Sequence, residues 1–128
     1  MPQYAAPWVP LQPDGTPSSK QNYVNLGTGA IQQLTTSATR LFRMYVVNSQ
    51  ASTATYIQVF DSLVANITLG TTNPDEMLLV PGSASGSIQF PVYGQLFTTA
   101  VAVQATTTAG GAVGSASGVY VYFSYLNP

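Results

Sequence analysis

Apolar and polar residues alternate along most of the chain from Tyr23 onward, which is the pattern of β-strands that bury one face. The runs are rich in Val, Ile, Thr, Tyr and Phe, and turn residues separate them at intervals of roughly 8–12 residues. No segment has the pattern of an amphipathic helix. The pattern predicts strands at Tyr23–Leu26, Ala30–Thr35, Arg40–Asn48, Thr55–Asp61, Ala65–Leu69, Met77–Val80, Ser87–Val92, Leu96–Thr106 and Gly118–Tyr125.

The alternation also predicts which side chains share a face of the sheet. In the last strand Val119, Val121 and Phe123 would point inward, and Tyr120, Tyr122 and Ser124 outward. In the strand at 40–48, one face would hold Phe42, Met44 and Val46, and the other Leu41, Arg43, Tyr45 and Val47. The polar segment between Asn48 and Thr55 is expected to join two neighbouring strands as a hairpin. This texture is typical of a β-sandwich or barrel.

Residues 1–20 differ from the rest because they hold five of the nine prolines. Proline has no stable place in a helix interior or a central strand, so this segment is predicted to be an extended, partly polyproline-like arm, followed by a single domain at 21–128. Its apolar side chains need burial. Either Trp8 folds back onto its own domain, or the arm lies across a neighbouring subunit with these residues as anchors: Tyr4, Trp8, Val9 and Leu11.

Only seven of the 128 residues are charged, and there is no His or Cys. General acids and bases, nucleophiles and metal sites usually draw on those residue types, so we expect no enzyme, no metal and no cofactor. A net charge of −1 without a basic patch argues against nucleic acid and against an anionic membrane surface as partners. We also expect no signal peptide and no membrane helix, since the apolar runs are too short.

Two groups remain as candidate site residues. Tyr120, Tyr122 and Tyr125 of the last strand could stack on sugars, anchor a protein interface or form a second core layer. Arg40 and Arg43 are three residues apart and would face opposite sides of a strand. Each arginine therefore needs its own partner. The predicted hairpin would bring Asp61 close enough to serve as one of these partners in a structural ion pair.

The segments RLFRMYVVNSQASTATYIQVFDS, VPGSASGSIQFP, LFTTAVAVQATTT and GVYVYFSYLNP resemble the decoration (cement) proteins of tailed-phage capsids, or related small β-sandwich virion proteins. The resemblance covers about residues 40–128. It implies an all-β antiparallel sandwich with jelly-roll topology, for which an immunoglobulin-like sandwich is the alternative.

The resemblance also implies a non-enzymatic structural protein that stabilises a capsid by binding its outer surface and neighbouring subunits. The expected partners are the major capsid protein or other virion subunits and further copies of the chain, as a dimer or trimer. The expected location is the virion surface, after synthesis in the host cytoplasm. The alternative function is a carbohydrate- or receptor-binding module of a phage tail or fibre.

Overall fold

The computed structural model describes residues 20–26, 30–91, 93–115 and 118–126, and almost all regular structure within them is β. One 3-10 turn, Val64–Asn66, is the only helical element in those ranges. The strands, numbered in chain order, are β1 (Lys20–Asn25), β2 (Gln32–Thr35), β3 (Thr39–Asn48), β4 (Thr55–Phe60), β5 (Glu76–Val80), β6 (Ala84–Gln89), β7 (Gln95–Phe97), β8 (Val101–Thr106) and β9 (Val119–Leu126).

The strands form two sheets in which every described pairing is antiparallel, and this confirms the predicted β-sandwich. Sheet 1 has the order β1-β9-β3-β6, with the short β7 also paired to β3. Sheet 2 has the order β2-β8-β4-β5. Because β3 and β4 lie in different sheets, the expected hairpin between them is wrong, and the segment at 49–54 instead crosses from one sheet to the other.

The pairing is nested along the chain. The first strand pairs with the last, β2 with β8, β3 with β6 and β4 with β5, and successive pairs fall in opposite sheets. This is the order obtained when one long antiparallel hairpin is wrapped into two layers. The immunoglobulin-like alternative is wrong, since the first two strands of that fold are neighbours in one sheet, whereas β1 and β2 lie in different sheets here.

The core lies between the sheets and is filled by the inward faces of the longer strands. Burying a Val, Leu, Ile, Phe or Met side chain in this core contributes about 1.5–3 kcal/mol. The predicted inward set of β9 is confirmed, and the inward residues of β8 alternate along that strand. The buried cluster includes Leu41, Met44, Val46, Ile57, Val59, Val101, Val103, Ala105, Val119, Val121 and Phe123.

One face assignment in β3 is wrong because of a β-bulge. The register of β3 against β9 shifts between Leu41 and Arg43, so Phe42 is an extra residue in the strand. Leu41 therefore shares the core face with Met44 and Val46 instead of opposing them. The ring of Phe42 is buried outside that cluster, close to Gly94.

Two strand predictions are also wrong. The segment predicted at Ala65–Leu69 contains the 3-10 turn and a loop. The strand predicted at Leu96–Thr106 is divided into β7 in sheet 1 and β8 in sheet 2. The carboxylate of Asp61 lies at this break, where it accepts hydrogen bonds from the backbone amides of Thr98 at 2.9 Å and Thr99 at 2.8 Å. The backbone amides of Thr98 and Thr99 therefore donate their hydrogen bonds to the Asp61 side chain and not to the backbone of a neighbouring strand.

The outer face of sheet 2 is covered over its central strands. Gln58 of β4 and Gln104 of β8 are cross-strand neighbours on that face, yet both are fully buried. The amide of Gln58 donates to the carbonyl of Gly111 at 3.1 Å, so the loop at 107–115 lies over the sheet. The segment after β4 covers the adjacent part, where Gln33 Oε1 accepts from the amide of Val64 at 2.7 Å.

Candidate interface on the outer face of sheet 1

Four tyrosines form a continuous row across the outer face of sheet 1, here called the tyrosine row. In order they are Tyr120, Tyr23, Tyr122 and Tyr45. The distances between neighbouring ring centroids are 5.6, 4.7 and 6.3 Å. Tyr120 and Tyr23 are stacked with 14° between their planes, whereas Tyr122 is tilted by 48° to Tyr23 and by 45° to Tyr45.

The register of three strands produces this row. Tyr122 of β9 is directly opposite Tyr23 of β1 on one side and Tyr45 of β3 on the other. Tyr120 lies two residues from Tyr122 along β9 and therefore projects from the same face. Directly opposed aromatic side chains stabilise a sheet by roughly 0.2–1 kcal/mol per pair, so the row also contributes to pairing of the first and last strands.

The row is accessible to a partner. Tyr23 is 47% exposed and Tyr122 is 48% exposed. Partial removal from water and the neighbouring Tyr120 and Tyr122 raise the pKa of the Tyr23 hydroxyl above its ordinary value, which already keeps a tyrosine neutral in the physiological range. The exposed surface is thus aromatic and uncharged, with hydroxyl groups able to donate and accept hydrogen bonds.

A cation lies at one end of the row. The Arg43 guanidinium carbon is 5.9 Å from the ring centroid of Tyr45, within the range of a cation–π contact. Arg43 Nε is buried without a hydrogen-bond partner. Beside Tyr45 the surface continues into a shallow, open groove whose polar groups include Ser49, Ser83 and Ser85.

A second, apolar surface lies on sheet 2. Met77 and Leu79 of β5 point outward and are 45% and 51% exposed. They lie on the strand at the end of the sheet, beyond the part that the loops cover. Exposed apolar groups that are clustered in this way are typical of interaction sites.

Within the part of the chain that the structure describes, no three side chains of the His, Cys, Asp and Glu types come together as a metal site would require. No helix there has the length and apolarity needed to span a bilayer. What this face can do chemically is stack, bury and form hydrogen bonds.

The structure groups some of the predicted site residues and separates others. Tyr120 and Tyr122 belong to the tyrosine row. Tyr125 is on the opposite face of β9, where it packs against the core with its ring 5.2 Å from that of Phe123. Sequence reasoning missed Tyr23 and Tyr45 as members of the row. The arm anchors lie outside the described residues: Tyr4, Trp8, Val9 and Leu11.

The expected grouping of Arg40, Arg43 and Asp61 is not formed among the described residues. The Arg40 guanidinium instead approaches the carbonyl of Tyr93 at 3.5 Å. Asp61 serves as a backbone acceptor. Partial desolvation acts to raise its pKa, but the hydrogen bonds from Thr99, Thr98 and Ala100 outweigh this effect and hold the pKa below its ordinary value.

Comparison with known proteins identifies no family. No protein-family model matches the sequence, and no curated protein matches it either. Among solved structures the fold is similar to the coat protein of tobacco streak virus, at 14% sequence identity and a TM-score of 0.43, over 84% of this chain and 87% of that one. A likeness at this level carries no conclusion about function.

Proposed function

We propose that this chain is a non-enzymatic structural protein of a virion, which stabilises a capsid by binding its outer surface and neighbouring subunits. The observation that carries the proposal is the pair of exposed surfaces, the tyrosine row on sheet 1 and the Met77–Leu79 surface on sheet 2. With only seven charges in the whole chain, these surfaces are suited to burial against other subunits.

The strand order supports the same proposal at the level of the fold. We take the nested pairing to be that of a jelly roll, in which β7 is a short addition between the sixth and seventh main strands. Jelly rolls are frequent among viral capsid domains, and they also occur among lectins and cupins. The fold therefore permits the proposed role, and the surfaces argue for it.

The arm supplies intermolecular contacts in this proposal, with Trp8 as its chief anchor beside Tyr4, Val9 and Leu11. Its prolines disfavour local secondary structure, while its apolar side chains gain from burial. Burial of one large aromatic side chain contributes on the order of 2–3 kcal/mol.

Deletion of residues 1–19 tests the proposal, because Lys20 already belongs to β1. We expect the shortened chain to retain a β-type circular dichroism spectrum and to form a weaker oligomer by sedimentation equilibrium. The fraction of the shortened chain that stays bound to virus particles, assembled from proteins of the same genome, should also fall. A full-length protein that is monomeric and binds no particle would contradict the proposal, and a shortened chain that fails to fold would place the arm in its own domain's core.

The exposed tyrosines beside a serine-lined groove favour one other function, a carbohydrate- or receptor-binding module of a phage tail or fibre. Aromatic rings can stack on sugars, but the tilt of Tyr122 against both neighbours prevents the row from forming one flat platform. Glycan-array binding that is lost in Tyr122→Ala, by a protein with no affinity for particles, would favour this function.

A further inference from the structure

We infer that the tyrosine row is the docking site for residues 7–13 of the arm of a neighbouring copy. The inference rests on the proposed function, in which the arm contacts another subunit, and it names the surface that receives the arm. Two independent features support it: the spacing of the prolines and the chemistry of the row.

The prolines at 7, 10 and 13 are spaced three residues apart. A polyproline II helix has three residues per turn, so these prolines would lie along one edge of it, about 9 Å apart. Trp8 and Leu11 would share the adjacent edge, and Val9 would lie on the third. Two edges of this segment are thus apolar and next to each other.

The row matches this segment in chemistry. Proline-rich polyproline segments dock into grooves lined by aromatic side chains, because the rings pack on the prolines and the preformed helix loses little entropy. The row presents four rings to such a helix, with neighbouring centroids 5.6, 4.7 and 6.3 Å apart. The free backbone carbonyls of such a helix can accept hydrogen bonds from tyrosine hydroxyls.

Charge complementarity sets the direction. Asp14 directly follows Pro13 and would lie on the same edge as Trp8 and Leu11. Arg43 is at the Tyr45 end of the row, where the residue is partly exposed and its guanidinium carbon is 5.9 Å from the centroid of the Tyr45 ring. Docking with Asp14 beside Arg43 places Trp8 towards Tyr23 and Tyr120.

The proposed function, in which the arm contacts another subunit, assigns the docked arm to a neighbouring copy. β1 runs from Lys20 to Asn25, and Tyr120 is opposite Asn25, so the arm leaves β1 at the end away from that part of the row. Residues 14–19 join the docked segment to β1 and span about 19 Å when extended, so the row of the neighbouring copy must lie close to the start of β1. A turn at Asp14 and Gly15 would return the arm to its own row, and the experiment separates this placement from the proposed one.

Fluorescence of Trp8 reports docking in the full-length protein, because it is the chain's only tryptophan. An emission maximum at shorter wavelength than that of free tryptophan is expected once the protein assembles. Tyr122→Ala should raise the concentration at which the shift is half complete by about tenfold, corresponding to one lost aromatic contact. Tyr93→Ala is the matched control, since Tyr93 is 80% exposed and outside the row. Pro10→Ala should weaken docking without altering any strand.

Mixing two full-length variants decides which copy supplies the arm. Trp8→Phe keeps an intact row and has no tryptophan, while Tyr122→Ala keeps Trp8 and has a damaged row. Return of the short-wavelength emission on mixing supports docking between copies. The opposite result has two parts: the wild type shows the short-wavelength emission and Tyr122→Ala abolishes it, yet the emission does not return when the two variants are mixed. This result would overturn the assignment to a neighbouring copy in favour of docking within the same chain.

Two further results would overturn the inference and leave the proposed function standing. Both require that sedimentation still shows assembly. In the first, Tyr122→Ala and Pro10→Ala leave the emission maximum of Trp8 unchanged. In the second, the wild-type emission maximum equals that of free tryptophan. Failure of the proposed function is distinguishable, because it requires that the wild type neither assembles nor binds particles.

Discussion

At the residue scale, Asp61 is the polar side chain on which the path of the chain most clearly depends. One carboxylate oxygen accepts from the amide and hydroxyl of Thr98, and the other accepts from the amides of Thr99 and Ala100. A single carboxylate thus satisfies the donors at the point where the chain leaves β7 in sheet 1 for β8 in sheet 2. Few other residue types supply acceptors in both directions.

We expect Asp61→Asn to lower the free energy of unfolding by about 1–2 kcal/mol, because either orientation of the amide points its NH₂ group at a backbone donor. Chemical denaturation measures this loss. Glu76→Gln is the control, since Glu76 is an exposed carboxylate at the start of β5, and it should change the stability by less than about 0.5 kcal/mol. Equal effects of the two substitutions would contradict the capping role.

The same site predicts a pH dependence. The pKa of Asp61 is lower in the folded chain than its ordinary value, so the folded state favours the ionised form. Its contribution to stability is therefore present above the ordinary aspartate pKa of about 3.9 and is lost as the pH falls through the folded value. The difference in stability between wild type and Asp61→Asn should shrink in that acid range. A difference that stays constant into that range would argue against the ionised carboxylate as the source of the stability.

Gly94 and Gly110 give a matched pair for backbone strain and side-chain space. Both have positive φ, at 81° and 63°. A Cβ at Gly94 would lie 2.6 Å from the Phe42 ring, whereas a Cβ at Gly110 would meet nothing within 4 Å. Gly110→Ala should cost about 1–2 kcal/mol through backbone conformation alone, and Gly94→Ala should cost more because Phe42 must also move. Thermal melting of the two variants measures the difference, and equal costs would show that Phe42 yields freely.

At the element scale, the positions at which strands begin and end depend on contacts between residues that are distant in the sequence, which the local sequence pattern does not reveal. Gln33 of β2 is an example. Its amide nitrogen donates to the carbonyls of Thr35, Ser62 and Val101, and its oxygen accepts from Val64. One side chain thereby holds the 3-10 segment against sheet 2, where the sequence pattern suggested a strand.

We expect Gln33→Ala to destabilise the protein by about 1–3 kcal/mol, because it leaves several partly buried backbone groups without a partner. Hydrogen exchange at the amide of Val64 should accelerate, since its acceptor is removed. Gln89→Ala, at an exposed glutamine of β6, should change neither measurement. Unchanged exchange at Val64 in Gln33→Ala would show that the segment is held by packing alone.

At the scale of the whole molecule, low charge governs how the protein associates. The chain has seven charged residues and no His. The pKa of Asp61 is lowered and that of Tyr23 is raised, so both shifts lead away from neutral pH and leave Asp61 ionised and Tyr23 neutral, as they would be without the shifts. Surfaces of this kind associate through apolar burial and neutral hydrogen bonds, which respond weakly to moderate salt.

Assembly should accordingly change little between pH 5 and 8, a window of about three units without an unperturbed titrating side chain of this chain. It should also resist a few hundred millimolar sodium chloride, at which the Debye screening length between exposed charges is under about 8 Å. The inferred contact between Asp14 and the partly exposed Arg43 adds no more than about 1 kcal/mol, as is usual for ion pairs at a protein surface. Sedimentation across a salt series at fixed pH measures this, and dissociation by salt would show that the charged residues carry the contact.

Much of the fold could be predicted from local pattern. Alternation identified seven of the strands with small shifts at their ends, and it assigned the faces of β9 correctly. It failed at Leu41 because the bulge at Phe42 changes the phase of the alternation, and LFRMYVV is apolar enough to accommodate either phase. It failed at Asp61 because the groups that it binds are 37–39 residues away in the sequence.

The sequence by itself determined that the chain is β, that one face of each long strand is buried and that catalytic groups are scarce. These properties depend on residue type and on neighbours one or two positions away. Only the tertiary structure decided which strands pair. The tyrosine row exists because β1 and β9, from opposite ends of the chain, meet in one sheet beside β3. The period of two sets which face each tyrosine occupies, but the register that aligns Tyr23, Tyr122 and Tyr45 depends on long-range pairing, which carries no local signal.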